Sequence, residues 1–116
     1  IVDDSATIRQ VVGMTLKGAG YEVMEASDGK DALKKLDGKK INLIISDVNM
    51  PNMDGITFVK EAKKLASYKF TPIIMLTTES QDSKKQEGQA AGAKAWVVKP
   101  FQPEQMLAAV AKLIMP

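Results

Sequence analysis

The chain contains neither cysteine nor histidine. The first absence excludes disulfides and thiol chemistry, and for that reason says little about compartment. The second removes zinc sites of the usual kind and any phosphohistidine carried by the chain itself. No apolar run approaches the ~18 residues of a membrane span, and no signal-peptide pattern is present, which points to a cytosolic protein. Excess charge is also lacking. The 16 basic and 14 acidic residues leave a net charge of +2, too small to argue for nucleic acid or an anionic membrane as partner.

What remains is an ordinary globular composition, 45% hydrophobic and 26% charged over 116 residues. That is one domain, 1–116, long enough to bury roughly 65% of its unfolded surface. It is organised around the stretch from Ile44 to Gly55. The apolar run Ile41 to Ile45 ends abruptly at Asp47, and a turn containing Met50-Pro51-Asn52 and Asp54-Gly55 follows. This pattern predicts a buried parallel strand that delivers Asp47 to the carboxyl end of a sheet. In open α/β sheets, ligands bind at that end. Other strand ends finish in Asp3-Asp4, in Thr77-Thr78 and in Lys99-Pro100. Brought together, they make a site of three carboxylates, a hydroxyl and an ammonium, suited to a divalent cation and a phosphoryl group.

In chain order, Ile1-Val2 is a stub of a strand, shorter than the about five residues a central strand needs, and residues are expected to be missing before it. Ser5 is placed to cap a helix from Ala6 to Ala19, with Ile8, Val11, Val12, Thr15, Leu16 and Ala19 inward and Gly20 ending it. Tyr21 to Ala26 reads as a strand. Asp28 or Ser27 caps a helix over Lys30 to Leu36. After the Ile41–Ser46 strand comes a helix over Ile56 to Leu65, with Phe58, Val59, Ala62 and Leu65 facing the core. Pro72 to Leu76 is the next strand. The segment Ser80 to Ala91 has helical propensity but almost no large apolar residue, and Gly88 interrupts it. It is expected to be the least stable helix. Ala95 to Val98 is the last strand. Pro103 starts a final helix with Met106, Leu107, Val110, Leu113 and Ile114 inward. Strands alternating with helices, joined by right-handed crossovers, predict a doubly wound α/β sandwich.

Taken together, Asp3-Asp4, Asp47 before Met50-Pro51, Thr77 and Lys99-Pro100 resemble the receiver domain of two-component response regulators. The resemblance spans nearly the whole chain in the right order. Without an output domain, the chain is similar to the stand-alone chemotaxis receivers of the CheY type. The implied fold is flavodoxin-like: five parallel strands in order 2-1-3-4-5 with five helices.

The resemblance also implies a chemistry. Asp47 is the phosphoacceptor, taking a phosphoryl group from a histidine kinase. Mg2+ is the cofactor, held by Asp4, Asp47 and the Asn49 carbonyl, with Asp3 acting through water. Lys99 supplies a second positive contact, and the Thr77 hydroxyl bonds the phosphoryl oxygen once it arrives. Thr77 and Trp96 form the switch, with Trp96 where receivers carry an aromatic. Asn49 and Glu79 tune dephosphorylation and suggest a short-lived phosphoryl state. The flagellar motor switch protein and a phosphatase are the further partners implied. The expected state is a cytoplasmic monomer, with no nucleic acid or membrane partner and no enzymatic activity beyond its own phosphoryl transfer and autodephosphorylation.

Each residue alone has an ordinary reading. Asp3 and Asp4 can cap a helix, Thr77 can be a strand-end hydroxyl, Lys99 a solvated lysine, Trp96 core packing, and Asn49 and Glu79 loop polars. Their joint order at four strand ends is what favours the receiver reading. A calcium loop starting at Asp47 fails, because Pro51, Asn52 and Phe58 stand where a ligand, a glycine and the bidentate glutamate belong. A phosphatase with an aspartate nucleophile needs a second aspartate where Asn49 stands. Two alternatives stay open within the family: a phosphate sink for a shared kinase, and a receiver excised from a larger regulator.

Overall fold

The apolar runs that end at Asp47, Thr77 and Val98 fold side by side as parallel strands. The structure, a computed structural model, describes residues 1–36, 40–48, 53–77, 92–98 and 102–113. Among these, the helices are α1 (Ala6–Gly18), α2 (Gly29–Lys35), α3 (Gly55–Lys64) and α4 (Pro103–Leu113). The strands are β1 (Ile44–Asp47), β2 (Ile73–Thr77) and β3 (Ala95–Val98), in sheet order β1-β2-β3. The segment Ser80 to Ala91, expected to be helical, lies outside the described residues.

The register places Ile44 opposite Ile73, Asp47 opposite Leu76, and Thr77 opposite Val98. Val2 extends the sheet beyond β1, bridging Ser46 on one side and Ala26 on the other. Its N–H donates to the Ile45 carbonyl at 2.7 Å, and the Asp47 N–H donates to the Val2 carbonyl at 2.8 Å. Read by neighbours, the order runs Ala26, Val2, β1, β2, β3. This is the flavodoxin-like 2-1-3-4-5 order.

The expected strand from Tyr21 to Ala26 is a correction: only Ala26 forms a bridge. A parallel strand pairs only where its neighbour supplies backbone alongside. Residues 1–3 reach Met24 and Ala26, through Ile1 N to Met24 O at 2.8 Å, Ala26 N to Ile1 O at 2.8 Å and Asp3 N to Ala26 O at 3.1 Å. A groove of about 450 Å³ is lined in part by Tyr21, Val23, Leu43 and Ile45.

Side chains alternate across the sheet, so each strand feeds two cores. Ile44, Ile73 and Met75 pack with Ala32 of α2 and with Ile56, Phe58, Val59 and Ala62 of α3. Ile45, Ile74, Leu76 and Val97 pack on the other face with Val12 and Leu16 of α1 and Met106 and Val110 of α4. Helices cover both faces, as a parallel sheet buried on each side requires.

Helix ends follow local chemistry. The Ser5 hydroxyl accepts the Ile8 N–H at 3.3 Å, which satisfies one orphan donor of α1. At the other end Gly20 takes φ +96°, Tyr21 N donates to Leu16 O at 3.1 Å, and Gly20 N donates to Lys17 O at 3.0 Å. That left-handed turn needs glycine. Three residues expected inward are exposed: Val11, Ala19 and Leu65. Ala19 and Leu65 are C-caps, where helical phase no longer fixes direction. Val11 lies beside the Val12–Leu16 stripe that meets the sheet, and is 45% exposed.

Candidate functional site

β1 is buried along its full length and ends at Asp47. One strand over, Val2 holds the same level and leads into Asp3 and Asp4. Because the strands are parallel, both sets of carboxylates emerge at one edge. One oxygen from each of Asp3, Asp4 and Asp47 lies within 4.8 Å of the others. Asp3 is 0% exposed and Asp47 7%, while Asp4 is exposed. The pocket therefore opens to water on the Asp4 side.

Backbone donors aim the two buried carboxylates. Asp3 Oδ1 accepts the Ser5 N–H at 2.9 Å, and Asp47 Oδ1 accepts the Val48 N–H at 2.9 Å. Ser5 thus acts twice, capping α1 through its hydroxyl and fixing Asp3 through its N–H. Behind Asp47 the chain returns as α3. Its first residue, Gly55, donates its N–H to the Val48 carbonyl at 2.8 Å. A Cβ at Gly55 would lie 1.9 Å from the Asp47 carbonyl oxygen and 2.9 Å from Met75 Cε. Only glycine lets the helix start this close to the strand end. Asp54 caps α3, accepting the Thr57 N–H at 2.8 Å and the Thr57 hydroxyl at 3.3 Å.

Crowded carboxylates repel, and a dication relieves that repulsion. Three hard oxygen donors opening to water on one side suit Mg2+, which accepts few protein ligands and keeps several waters. The donor set therefore fits the cation expected for it.

Asp3, Asp4 and Asp47 are brought together as the sequence predicts. Thr77 is the last residue of β2, one step beyond the residue paired with Asp47, and its backbone pairs with Val98. The Thr77 side chain lies outside the described residues, as do Asn49, Glu79 and Lys99. Trp96 sits in β3 opposite Met75, half-buried against the core that contains Phe58. Its indole Nε1 is buried and has no hydrogen-bond partner among the described residues. Sequence reasoning took Gly55 only as part of a turn. The Asp-Gly pair just before an apolar helix was the available signal, but the need for glycine comes from the Asp47 carbonyl.

No helix among the described residues is long and apolar enough to cross a membrane. Residues 1–111 match the response regulator receiver domain family. The chain is 41% identical over 106 residues to the chemotaxis protein CheY1 of Helicobacter pylori, covering 90% of this chain and 86% of that one. It is 36% identical over 110 residues to the protein PilG of Pseudomonas aeruginosa, covering 95% and 82%. Among solved structures, the chemotaxis protein CheY4 of Vibrio cholerae superposes with a TM-score of 0.92 at 54% identity, covering 97% of this chain and 94% of that one.

Proposed function

The chain belongs to the response regulator receiver domain family, and from that membership we propose that it is a phosphorylation-activated switch of chemotaxis-type signalling, charged on Asp47 by a histidine kinase. The observation that carries this reading is the Asp3, Asp4 and Asp47 cluster at the carboxyl edge of a parallel sheet. An Asp47 carboxylate oxygen attacks phosphorus in line, and the phosphorus–nitrogen bond of the kinase phosphohistidine breaks, with its electron pair leaving on the imidazole. Asp4, Asp47 and the Asn49 carbonyl would hold Mg2+, with Asp3 acting through water. Bound there, the cation would offset the charge of the site and of the incoming phosphoryl oxygens.

The remaining residues act on geometry and charge. The Val48 N–H holds the Asp47 carboxylate, and Gly55 lets α3 start against the Asp47 backbone carbonyl. Lys99 contributes an ammonium to the phosphoryl oxygens, and the Thr77 hydroxyl donates to one of them. The new dianion favours the conformer in which Thr77 meets it and Trp96 turns inward, which changes the surface that an effector reads. Asn49 and Glu79 orient or admit the water that ends the signal. The similarity to chemotaxis proteins CheY1 and CheY4 supports an effector of chemotaxis signalling, and the effector proposed is the flagellar motor switch protein, met in the cytoplasm.

Intact mass after incubation with phosphoramidate tests the reading, with and without Mg2+, on the wild type and on Asp47→Asn. The expected result is a single phosphoryl adduct that requires both Mg2+ and Asp47. No adduct on a folded wild type would sink the reading.

A further inference from the structure

The guanidinium of Arg9, in the first turns of α1, reaches back to the peptide that carries the acidic pair. Its Nη1 donates to the Asp3 carbonyl, and its Nε pairs with Glu25 at 3.4 Å. The Arg9 side chain is 19% exposed and that of Glu25 43%, so water screens the ion pair and it adds little stability alone. Its geometric consequence is larger. The Asp3 N–H is already tied to Ala26 at 3.1 Å, and Asp3 Oδ1 is tied to the Ser5 N–H at 2.9 Å. Once the Asp3 carbonyl is also held, the planar peptide between Asp3 and Asp4 is fixed as a unit. Asp4, the exposed carboxylate of the three, hangs from that plane.

We propose that Arg9 is a positioning residue for the cation site. It locks the Asp3–Asp4 peptide so that the Asp4 carboxylate stays beside Asp3 and Asp47, and Glu25 orients the guanidinium from behind. The proposal rests on the reading of this pocket as a Mg2+ site. Arginine suits the task because its rigid fork serves two acceptors at once, whereas a lysine ammonium is a mobile point charge. The carbonyl takes one arm of the fork and Glu25 another. Groups that hold a metal ligand in place without touching the metal commonly control its affinity.

The test is calorimetric titration of Mg2+ into the wild type, Arg9→Ala, Arg9→Lys and Glu25→Gln, with Asp47→Asn as the site control. Each protein is also melted in EDTA. Arg9→Ala should weaken Mg2+ binding about tenfold. Arg9→Lys should recover part of the loss, and Glu25→Gln should lose less than Arg9→Ala. Arg9→Met keeps the apolar stem and removes the donors, and it replaces the alanine variant should that one fail to fold. Unchanged Mg2+ affinity in Arg9→Ala or Arg9→Met would overturn the role of Arg9 and leave the cation site standing, whatever happened to the melting temperature. A wild type that binds no Mg2+ in an Asp47-dependent way would overturn the site itself, and this inference with it.

Discussion

At Asp47 charge and shape make opposite demands. Its carboxylate shares a small pocket with two others, so removing one charge relieves repulsion, while filling space behind it does harm. Asp47→Asn should therefore fold and, in EDTA, melt no lower than the wild type. Mg2+ at about a hundred times its dissociation constant should stabilise the wild type by about 2.7 kcal/mol and the variant by less. Scanning calorimetry in EDTA and in Mg2+ reads both effects, and equal stabilisation of the two proteins by Mg2+ would remove Asp47 from the cation site. Gly55→Ala should do the reverse. Its Cβ would fall 1.9 Å from the Asp47 carbonyl oxygen, so backbone must shift, at a cost of about 1–3 kcal/mol or more. The phosphoryl adduct should fall with it, since the strand end itself is displaced; a variant that melts and phosphorylates like the wild type would sink that account. Asp47 was legible because an apolar run stopping at an acid is a local pattern. Gly55 was not, because the atom that forbids a side chain there belongs to another element.

Individual elements show the same division. α2 has only seven residues, too short to persist on propensity alone, and its first turn is tied in both directions. Asp28 accepts the Asp31 N–H at 2.8 Å, while Asp31 accepts the Ser27 N–H at 3.0 Å and lies 3.4 Å from the Lys35 ammonium. The arrangement is similar to a capping box, except that the return bond from Asp31 takes the N–H of Ser27, one residue before the Asp28 cap. The Ser27 backbone bond, followed by Lys35, holds the Asp31 carboxyl below its ordinary 3.8. A group whose pKa is lower in the folded state stabilises it above the unfolded value and loses that contribution as pH falls through the folded one. Asp31→Asn should therefore melt below the wild type at pH 7, and the gap should close as pH is lowered below 3.8. A gap that persisted there would mean that the charge is irrelevant and packing is responsible. The Asp28 cap was readable from sequence, but the return bond from Asp31 needs the turn geometry. Ala19 and Leu65 mislead for a related reason. Periodicity continues in the letters after the helix has ended in space.

For the molecule as a whole, the sheet order was legible because alternating elements and right-handed crossovers leave few alternatives. The edge at Tyr21 to Ala26 was not: only Ala26 forms a bridge, and alternation in the letters does not say which residues find a partner. The remaining question at this scale is whether charging Asp47 reaches a distant surface, which separates a switch from a phosphate sink. The sheet offers the route: Asp47 pairs with Leu76, and the adjacent Met75 pairs with Trp96. The Trp96 indole N–H is buried and has no partner among the described residues. Moving an equilibrium from 1:99 to 99:1 takes about 5.5 kcal/mol. Charge-assisted bonds to the phosphoryl group, at about 1.5–3 kcal/mol each, would supply this. Trp96 is the only tryptophan, so its emission reports directly. Phosphodonor with Mg2+ should change that emission in the wild type and leave it unchanged in Asp47→Asn. A chain shown by mass to be phosphorylated, yet with unaltered emission and no gain in effector binding, accepts phosphate without switching. That outcome would leave the sink as its function.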